Sequence, residues 1–305
     1  KLVLLFYTNE LEYLSVLSRG CIQREIFMKK LAIFLICFSV CPAIAQDKLT
    51  LLLDWFINPD HGPIIIAQER GYFSDVGLEV EIVAPADPSA PPKLVAAGKA
   101  DLAVSYQPNL HLQVHEGLPL VRVGTLVATP LNCLLVLDKG PIKTPADLKG
   151  KKIGFSVVGV EEAILGTILG RYGVALNEVT LVNVNFSLSP ALMSGQVHGV
   201  IGAYRNFELN QMDINGVPGR CFYVEEEGVP SYDELIYVAN PNLMKRNQII
   251  RFLDAIEKAT LENGWFRKEE CVFAISCWGK ALEKVNIEKW LTPYALTENQ
   301  STKTI

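Results

Sequence analysis

Residues 48–73 read KLTLLLDWFINPDHGPIIIAQERGYF, and this stretch decides the fold class. Leu49–Leu53 is an apolar run of strand length. Asn58 and His61 flank the Pro59 turn, and Pro63–Glu69 follows as a helix that stops at Arg70-Gly71. Working outward, a strand over Leu78–Val83, a helix over Pro91–Ala97 and a strand over Leu102–Val104 complete a strand–helix–strand–helix–strand order. The same order returns over Lys152–Gly202: strands at Lys152–Phe155, Thr180–Val184 and Gly199–Gly202, with helices at Val160–Tyr172 and Pro190–Ser194. Further strands are expected at Leu120–Leu126, Leu134–Leu137, Arg220–Val224 and Leu235–Val238. Further helices are expected at Asn109–His115, Pro145–Leu148 and Arg246–Trp265. This alternation predicts an α/β protein with largely parallel sheets. Several strands are Val, Ile and Leu throughout, as strands covered on both faces are.

The repeated order predicts two similar lobes. Extended segments near 131–136 and 234–239 predict two crossings between them. The expected division is a first lobe from 46–133 and 236–305, and a second lobe from 134–235 inserted between its parts. After Trp265 the pattern is faint, and Thr297–Ile305 is polar and unpatterned, so the last part of the first lobe reads as shortened.

Half of the 305 residues are hydrophobic and 20% are charged, which excludes collagen, coiled coil and intrinsic disorder. Mean hydropathy is +0.23, yet no apolar run reaches the ~18 residues needed to span a bilayer. Residues 46–305 carry 23 basic and 30 acidic side chains. An acidic body argues against nucleic-acid binding, which relies on cationic patches.

Met28-Lys29-Lys30, the 11-residue apolar run Leu31–Cys41 and the Ala43-Ile44-Ala45 site have the layout of a secretory signal. The expectation is a leader over 28–45 and a mature start near Gln46, with 1–27 an upstream extension not native to the protein. Of the seven cysteines, Cys133, Cys221, Cys271 and Cys277 fall in the body. None forms a C-x-x-C pair or sits at metal-ligand spacing from a histidine. Buried thiols or a single disulfide are expected, and no metal site.

Several segments together resemble the SsuA/THI5-like family. They are Leu52–Pro63 with Ala67–Phe73, Leu94–Asp101 (LVAAGKAD), Leu148–Gly154 (LKGKKIG) and Gly202–Glu208 (GAYRNFE). The resemblance covers about Lys48 to Trp265. It implies a type II periplasmic-binding-protein fold, in which two α/β lobes close on a ligand at a two-strand hinge. One branch holds ThiY-type substrate-binding components of ABC importers for thiamine-related pyrimidines. The other holds thiamine pyrimidine synthases, which build the ring from histidine and pyridoxal phosphate. Aligned on Gly98-Lys99-Ala100-Asp101, the synthase's cofactor-binding lysine and sacrificial histidine fall on Ser105 and Asn109. Without an amine there is no Schiff base. The expectation is therefore a non-enzymatic, exported, monomeric carrier in the periplasm. It has no cofactor, it binds a hydroxymethyl- or formylaminopyrimidine, and its partner is an inner-membrane permease. Binding of riboflavin, sulfonate or nitrate is the other carrier reading.

Eight residues are candidates for such a cleft. Trp55, just past the first strand, offers a stacking face, or is a core or lid tryptophan. Asn58 and His61 either meet the ligand or cap the turn. Tyr106 ends another strand, where it reads equally as an edge residue. Glu161 and Glu162 open a helix, where carboxylates are favoured whether or not they meet a ligand. Tyr204 and Glu208 follow the strand at 199–202; Glu208 is the expected hook for a ligand amine, against a solvated position on a helix face. Glu225–Glu227 reads as a solvated loop.

Overall fold

The computed structural model describes residues 46–262. The expected leader and upstream extension, Cys271 and Cys277, and everything from 263 onward lie outside the described residues.

The first lobe runs β1 (Asp47–Leu52), α1 (Gly62–Glu69), α2 (Tyr72–Asp75), β2 (Leu78–Val83), α3 (Pro91–Ala96), β3 (Leu102–Ser105), α4 (Gln107–His115) and β4 (Val121–Val127). The chain then crosses to the second lobe: β5 (Asn132–Leu137), β6 (Lys152–Phe155), α5 (Val160–Arg171), β7 (Thr180–Asn183), α6 (Leu188–Met193), β8 (Gly199–Tyr204), α7 (Glu208–Ile214) and β9 (Gly219–Tyr223). It returns as β10 (Leu235–Ala239) and α8 (Arg246–Glu262).

Two five-stranded sheets result, ordered β2-β1-β3-β10-β4 and β7-β6-β8-β5-β9. The two orders are equivalent position by position. Both sheets are mixed: four of the five strands in each run the same way, in keeping with the expectation of largely parallel sheets, and one is reversed. β1 is parallel to β2 and β3, and β6 to β7 and β8, but β10 and β5 run antiparallel to both their neighbours. The reason is topological. The parallel strands all end at the gap between the lobes. A strand arriving from the other lobe must start there, so it runs the opposite way.

Helices cover both faces of each sheet. In the first lobe, α1, α2 and α8 pack on one face with Ile64, Phe73, Phe252 and Ile256, while Val95 of α3 and Leu110 of α4 close the other. Burial on both faces explains why β3, β5 and β10 are apolar nearly throughout. Helix α1 is unusual in that Ile64, Ile65, Ile66 and Ala67 are all fully buried. α8 has the opposite character: Ile249, Phe252, Ala255, Ile256 and Ala259 form one buried stripe at spacings of three and four. In the second lobe, Ile164, Leu165, Ile168 and Leu169 of α5 fill one side, and α6 with Met212 of α7 the other. Cys133 of β5 and Cys221 of β9 form a disulfide with Cα atoms 5.5 Å apart.

The crossings are tied to each other. Glu234, just before β10, accepts the backbone N–H groups of Leu131 (2.7 Å) and Asn132 (2.9 Å) at the start of β5. Arg205 donates to the carbonyls of Leu131 and Asn132 and forms a two-pronged pair with Glu225, 2.7 Å on each arm. Glu225 is thus not merely part of a solvated loop: the Arg205 guanidinium holds its carboxyl below the usual range. Among the described residues no helix is long and apolar enough to cross a membrane.

Candidate binding site

The strand ends converge on one cavity. From the first lobe come Asp54, Trp55 and Asn58 after β1, and Tyr106 and Pro108 after β3. The second lobe adds Asn132 at the start of β5, Val160, Glu161 and Ile164 of α5, Gly202 and Tyr204 of β8, and Phe207 and Glu208. Tyr232 and Glu234 enter from the second crossing. About 500 Å³ between them is free of protein atoms, part of it open to solvent. This is the place where open α/β sheets bind ligands, beyond the carboxyl ends of their strands.

Six of the eight residues expected from sequence line this cavity: Trp55, Asn58, Tyr106, Glu161, Tyr204 and Glu208. Trp55 does so from an unexpected setting. It belongs to the first lobe's chain but packs in the second lobe's core, edge-on to Phe186 at 4.7 Å between ring centres. Its Nε1–H is buried and meets no acceptor among the described residues. Asn58 is engaged within its own turn: Oδ1 accepts the N–H of Asp60 at 2.8 Å and Nδ2 donates one N–H to the Phe56 carbonyl. It shapes the turn at Pro59–His61 as a cap does.

His61 and Glu162 do not line the cavity, a correction to the candidate set. His61 is fully buried behind it. Its Nδ1 accepts the Asn58 N–H at 3.3 Å, so the ring proton sits on Nε2 and is donated to Asp54 Oδ1 at 2.9 Å. Glu162 accepts the Gly159 N–H and closes the first turn of α5, the role a helix start gives a carboxylate.

Sequence reasoning missed Asp54, Asn132, Tyr232 and Glu234. Asp54 stands beside Trp55 in the quoted stretch, and its position one residue nearer the strand was the available signal. The other three sit where the crossings begin. The two crossings are legible as extended segments, but nothing in their residue types marks which side chains meet the gap.

The carboxylates are held in different ways. Asp54 is fixed by side chains: His61 on Oδ1 and the Tyr106 hydroxyl on Oδ2 at 3.0 Å. Burial, together with the charge of Asp54, pushes the Tyr106 phenol well up, so it stays a donor. Glu161 is held by backbone: Oε2 accepts the Ser156 N–H at 2.7 Å. Burial outweighs this bond and raises its pKa to about 8. The carboxyl lies against Gly202, where a Cβ would fall 2.2 Å from Oε1, and Gly202 also has φ +94°. Only glycine admits Glu161 there. Glu208 Oε2 accepts the Tyr204 N–H at 2.7 Å. Glu234 also receives the hydroxyls of Tyr232 (3.2 Å) and Tyr204 (3.4 Å), and burial lifts its pKa to about 7.

The lining therefore holds four carboxyl groups, five aromatic side chains and no lysine or arginine. Such a lining offers hydrogen-bond acceptors and ring faces, and no cationic side chain to pair with an anion.

The chain matches the NMT1/THI5-like family over residues 58–263. It belongs to that family. A family relative from Haemophilus influenzae, named for thiamine biosynthesis, is 56% identical over 219 residues, 72% of this chain and 70% of that protein. The formylaminopyrimidine-binding protein of Halalkalibacterium halodurans is 37% identical over 196 residues, 64% of this chain, which spans 59% of that protein's length. The 4-amino-5-hydroxymethyl-2-methylpyrimidine phosphate synthase of Schizosaccharomyces pombe is 29% identical over 231 residues, 72% of this chain and 66% of that one. Among solved structures, the alkanesulfonate-binding protein SsuA from Xanthomonas axonopodis superposes with a TM-score of 0.59 at 17% identity, covering 77% of this chain and 80% of that one. The fold of this NMT1/THI5-like chain is that of the type II periplasmic binding proteins.

Proposed function

We propose that this chain is the periplasmic substrate-binding component of an ABC importer and captures a thiamine-related pyrimidine of the hydroxymethyl or formylamino type. It performs no chemistry. It closes by hinge motion and delivers the ligand, as a monomer, to an inner-membrane permease. In this reading the chain crosses between the lobes just before Asn132 of β5 and just before Leu235 of β10, two residues and one residue earlier than the sequence expectation.

The observation that carries the proposal is the cavity's lining: four carboxyl groups beside flat aromatic faces, with no cationic side chain. An aminopyrimidine offers an exocyclic N–H pair, a ring face and no anionic group. Glu208 is positioned to accept that amine, and Trp55 to contact the ring. The relatives named for thiamine biosynthesis and formylaminopyrimidine binding support the same class. Sulfonate, nitrate and phosphorylated ligands are disfavoured by like charge.

The synthase reading draws on the fungal relatives. Against it, the positions of the cofactor lysine and the consumed histidine hold Ser105 and Asn109, both buried, and neither lines the cavity.

Isothermal titration of residues 46–305 decides between these. Hydroxymethylpyrimidine or its formylamino relative should bind, their phosphate esters at least about tenfold more weakly. Glu208→Gln should weaken the aminopyrimidine by about tenfold, the worth of one charge-assisted bond, and riboflavin far less. Absence of heat with every pyrimidine rejects the ligand class. An aldimine absorbance on adding pyridoxal phosphate would instead favour the synthase.

A further inference from the structure

Outside the cavity lining, one contact joins titratable and amide side chains across the gap between the lobes. Asp60 sits on the turn after β1, and Asn206 sits between β8 and α7. Asn206 Nδ2 donates to Asp60 Oδ1 at 2.6 Å. The remaining oxygens of the two groups, Asp60 Oδ2 and Asn206 Oδ1, are both buried and meet no hydrogen-bond donor among the described residues. A buried acceptor without a donor is unfavourable, and here one stands on each side of the same contact.

A single proton resolves both deficits. Placed on Asp60 Oδ2, it can be donated to Asn206 Oδ1, while Nδ2–H continues to bond Oδ1 of Asp60. A carboxylic acid and an amide then pair through two hydrogen bonds. We propose that Asp60 and Asn206 are positioning residues that hold the two lobes closed, as an acid–amide pair that takes one proton from water on closing and returns it on opening.

The surroundings act on that proton in definite directions. Burial raises the Asp60 pKa from 3.8 to about 6. The Asn206 bond and the neighbouring His61 pull it down, and the Asp54 carboxylate adds to the rise. From the second lobe, Tyr204 of β8 is the titratable group that senses Asp60, and its own raised pKa keeps it neutral. In the open state Asp60 regains water and an ordinary carboxyl pKa. Closure therefore binds a proton between about pH 4 and 6 and weakens as the pH rises through that window. A second hydrogen bond across the gap among the described residues, Ser89 Oγ accepting the Val158 N–H at 3.2 Å, holds no titratable group.

Tightened retention of a ligand rests on the binding reading above; the proton-linked closure does not. The test separates them. Small-angle scattering of ligand-free protein at pH 4.5 and 7.5 should show the closed-to-open ratio falling by about tenfold or more. Asp60→Asn supplies an amide N–H in place of the acid proton and should stay closed at both values. Asn206→Ala removes the acceptor and should be open at both. The same pH step in Asp60→Asn as in the wild type, or no step in the wild type, overturns the latch. Titration with hydroxymethylpyrimidine should then show tighter binding at pH 4.5 in the wild type than in Asn206→Ala. No binding at any pH rejects the ligand assignment alone, because the scattering result does not depend on it.

Discussion

The two lobes share one strand order and present matching positions to the gap, yet they hold their carboxyl groups by different means. After the first parallel strand of the first lobe stands Asp54, gripped by an imidazole and a phenol. After the equivalent strand of the second lobe comes Glu161, gripped by the Ser156 N–H with no cationic side chain among its bonded partners. Each third strand ends in, or is followed at once by, a tyrosine, Tyr204 or Tyr106, that points its hydroxyl at a carboxylate. The lesson is that topology repeats the place of a carboxyl group but not the means of holding it. Burial against backbone N–H and glycine leaves the neutral acid favoured.

The comparison can be broken most forcefully at Trp55, because that side chain belongs to the first lobe's strand end and the second lobe's core at once. Trp55→Ala should cost about 3–5 kcal/mol of stability, as large core truncations do. Chemical denaturation checks this. A cost under about 1 kcal/mol, in the range of surface substitutions, would mean that the lobes pack independently.

The disulfide offers a more selective break, since among the described residues it lies in the second lobe alone. Replacing Cys133 and Cys221 with serine opens a loop 88 residues long and should cost about 2–4 kcal/mol. Hydrogen exchange should quicken in β5, β8 and β9 and stay unchanged in β1, β2 and β3. Equal loosening of both sheets would contradict the assignment.

Protonation is the next contrast. The pKa of Glu161 is raised in the folded state, so its contribution to stability is complete below about pH 4.5 and lost as the pH rises through about 8. Glu161→Gln should remove that dependence, and relative to the variant the wild type should lose about 1–3 kcal/mol between pH 5 and 9. Parallel pH profiles for wild type and Glu161→Gln would falsify the neutral acid.

The smallest effect is expected at the surface pairs, Lys48–Glu79 on the first lobe and Lys149–Glu178 on the second. Alanine in place of either lysine should change stability by less than about 1 kcal/mol. A larger loss on one lobe only would point to an asymmetry that the exposed geometry does not contain.

Much of this was readable along the chain. The strands at Leu78–Val83 and Lys152–Phe155 were expected with the bounds that the structure has, because fully apolar or alternating runs closed by Gly leave little freedom. Helix α7 was missed, since Glu208–Ile214 has one buried apolar residue, Met212, and hence no periodic stripe. Helix α2 is a single turn, too short for a period to show. Of the cavity residues, Trp55, Tyr106 and Tyr204, just past expected strands, were found, whereas Asp54, which follows Leu53 directly, was not. Glu234 was not, because nothing near Tyr232-Asp233-Glu234 distinguishes a buried carboxylate from a solvated one.

The sequence by itself determined the alternation of strands and helices, the repeated order of the two lobes, the crossings and the family. These are local or periodic properties, carried by spacing and by residue type. Only the tertiary structure decided which side of a turn each polar group faces. Glu161 and Glu162 are adjacent in the chain and alike in chemistry, yet one is buried against Gly202 and the other closes a helix turn. Successive residues on a helix point about 100° apart, and only the packing of the second sheet fixes which of those directions is the cavity.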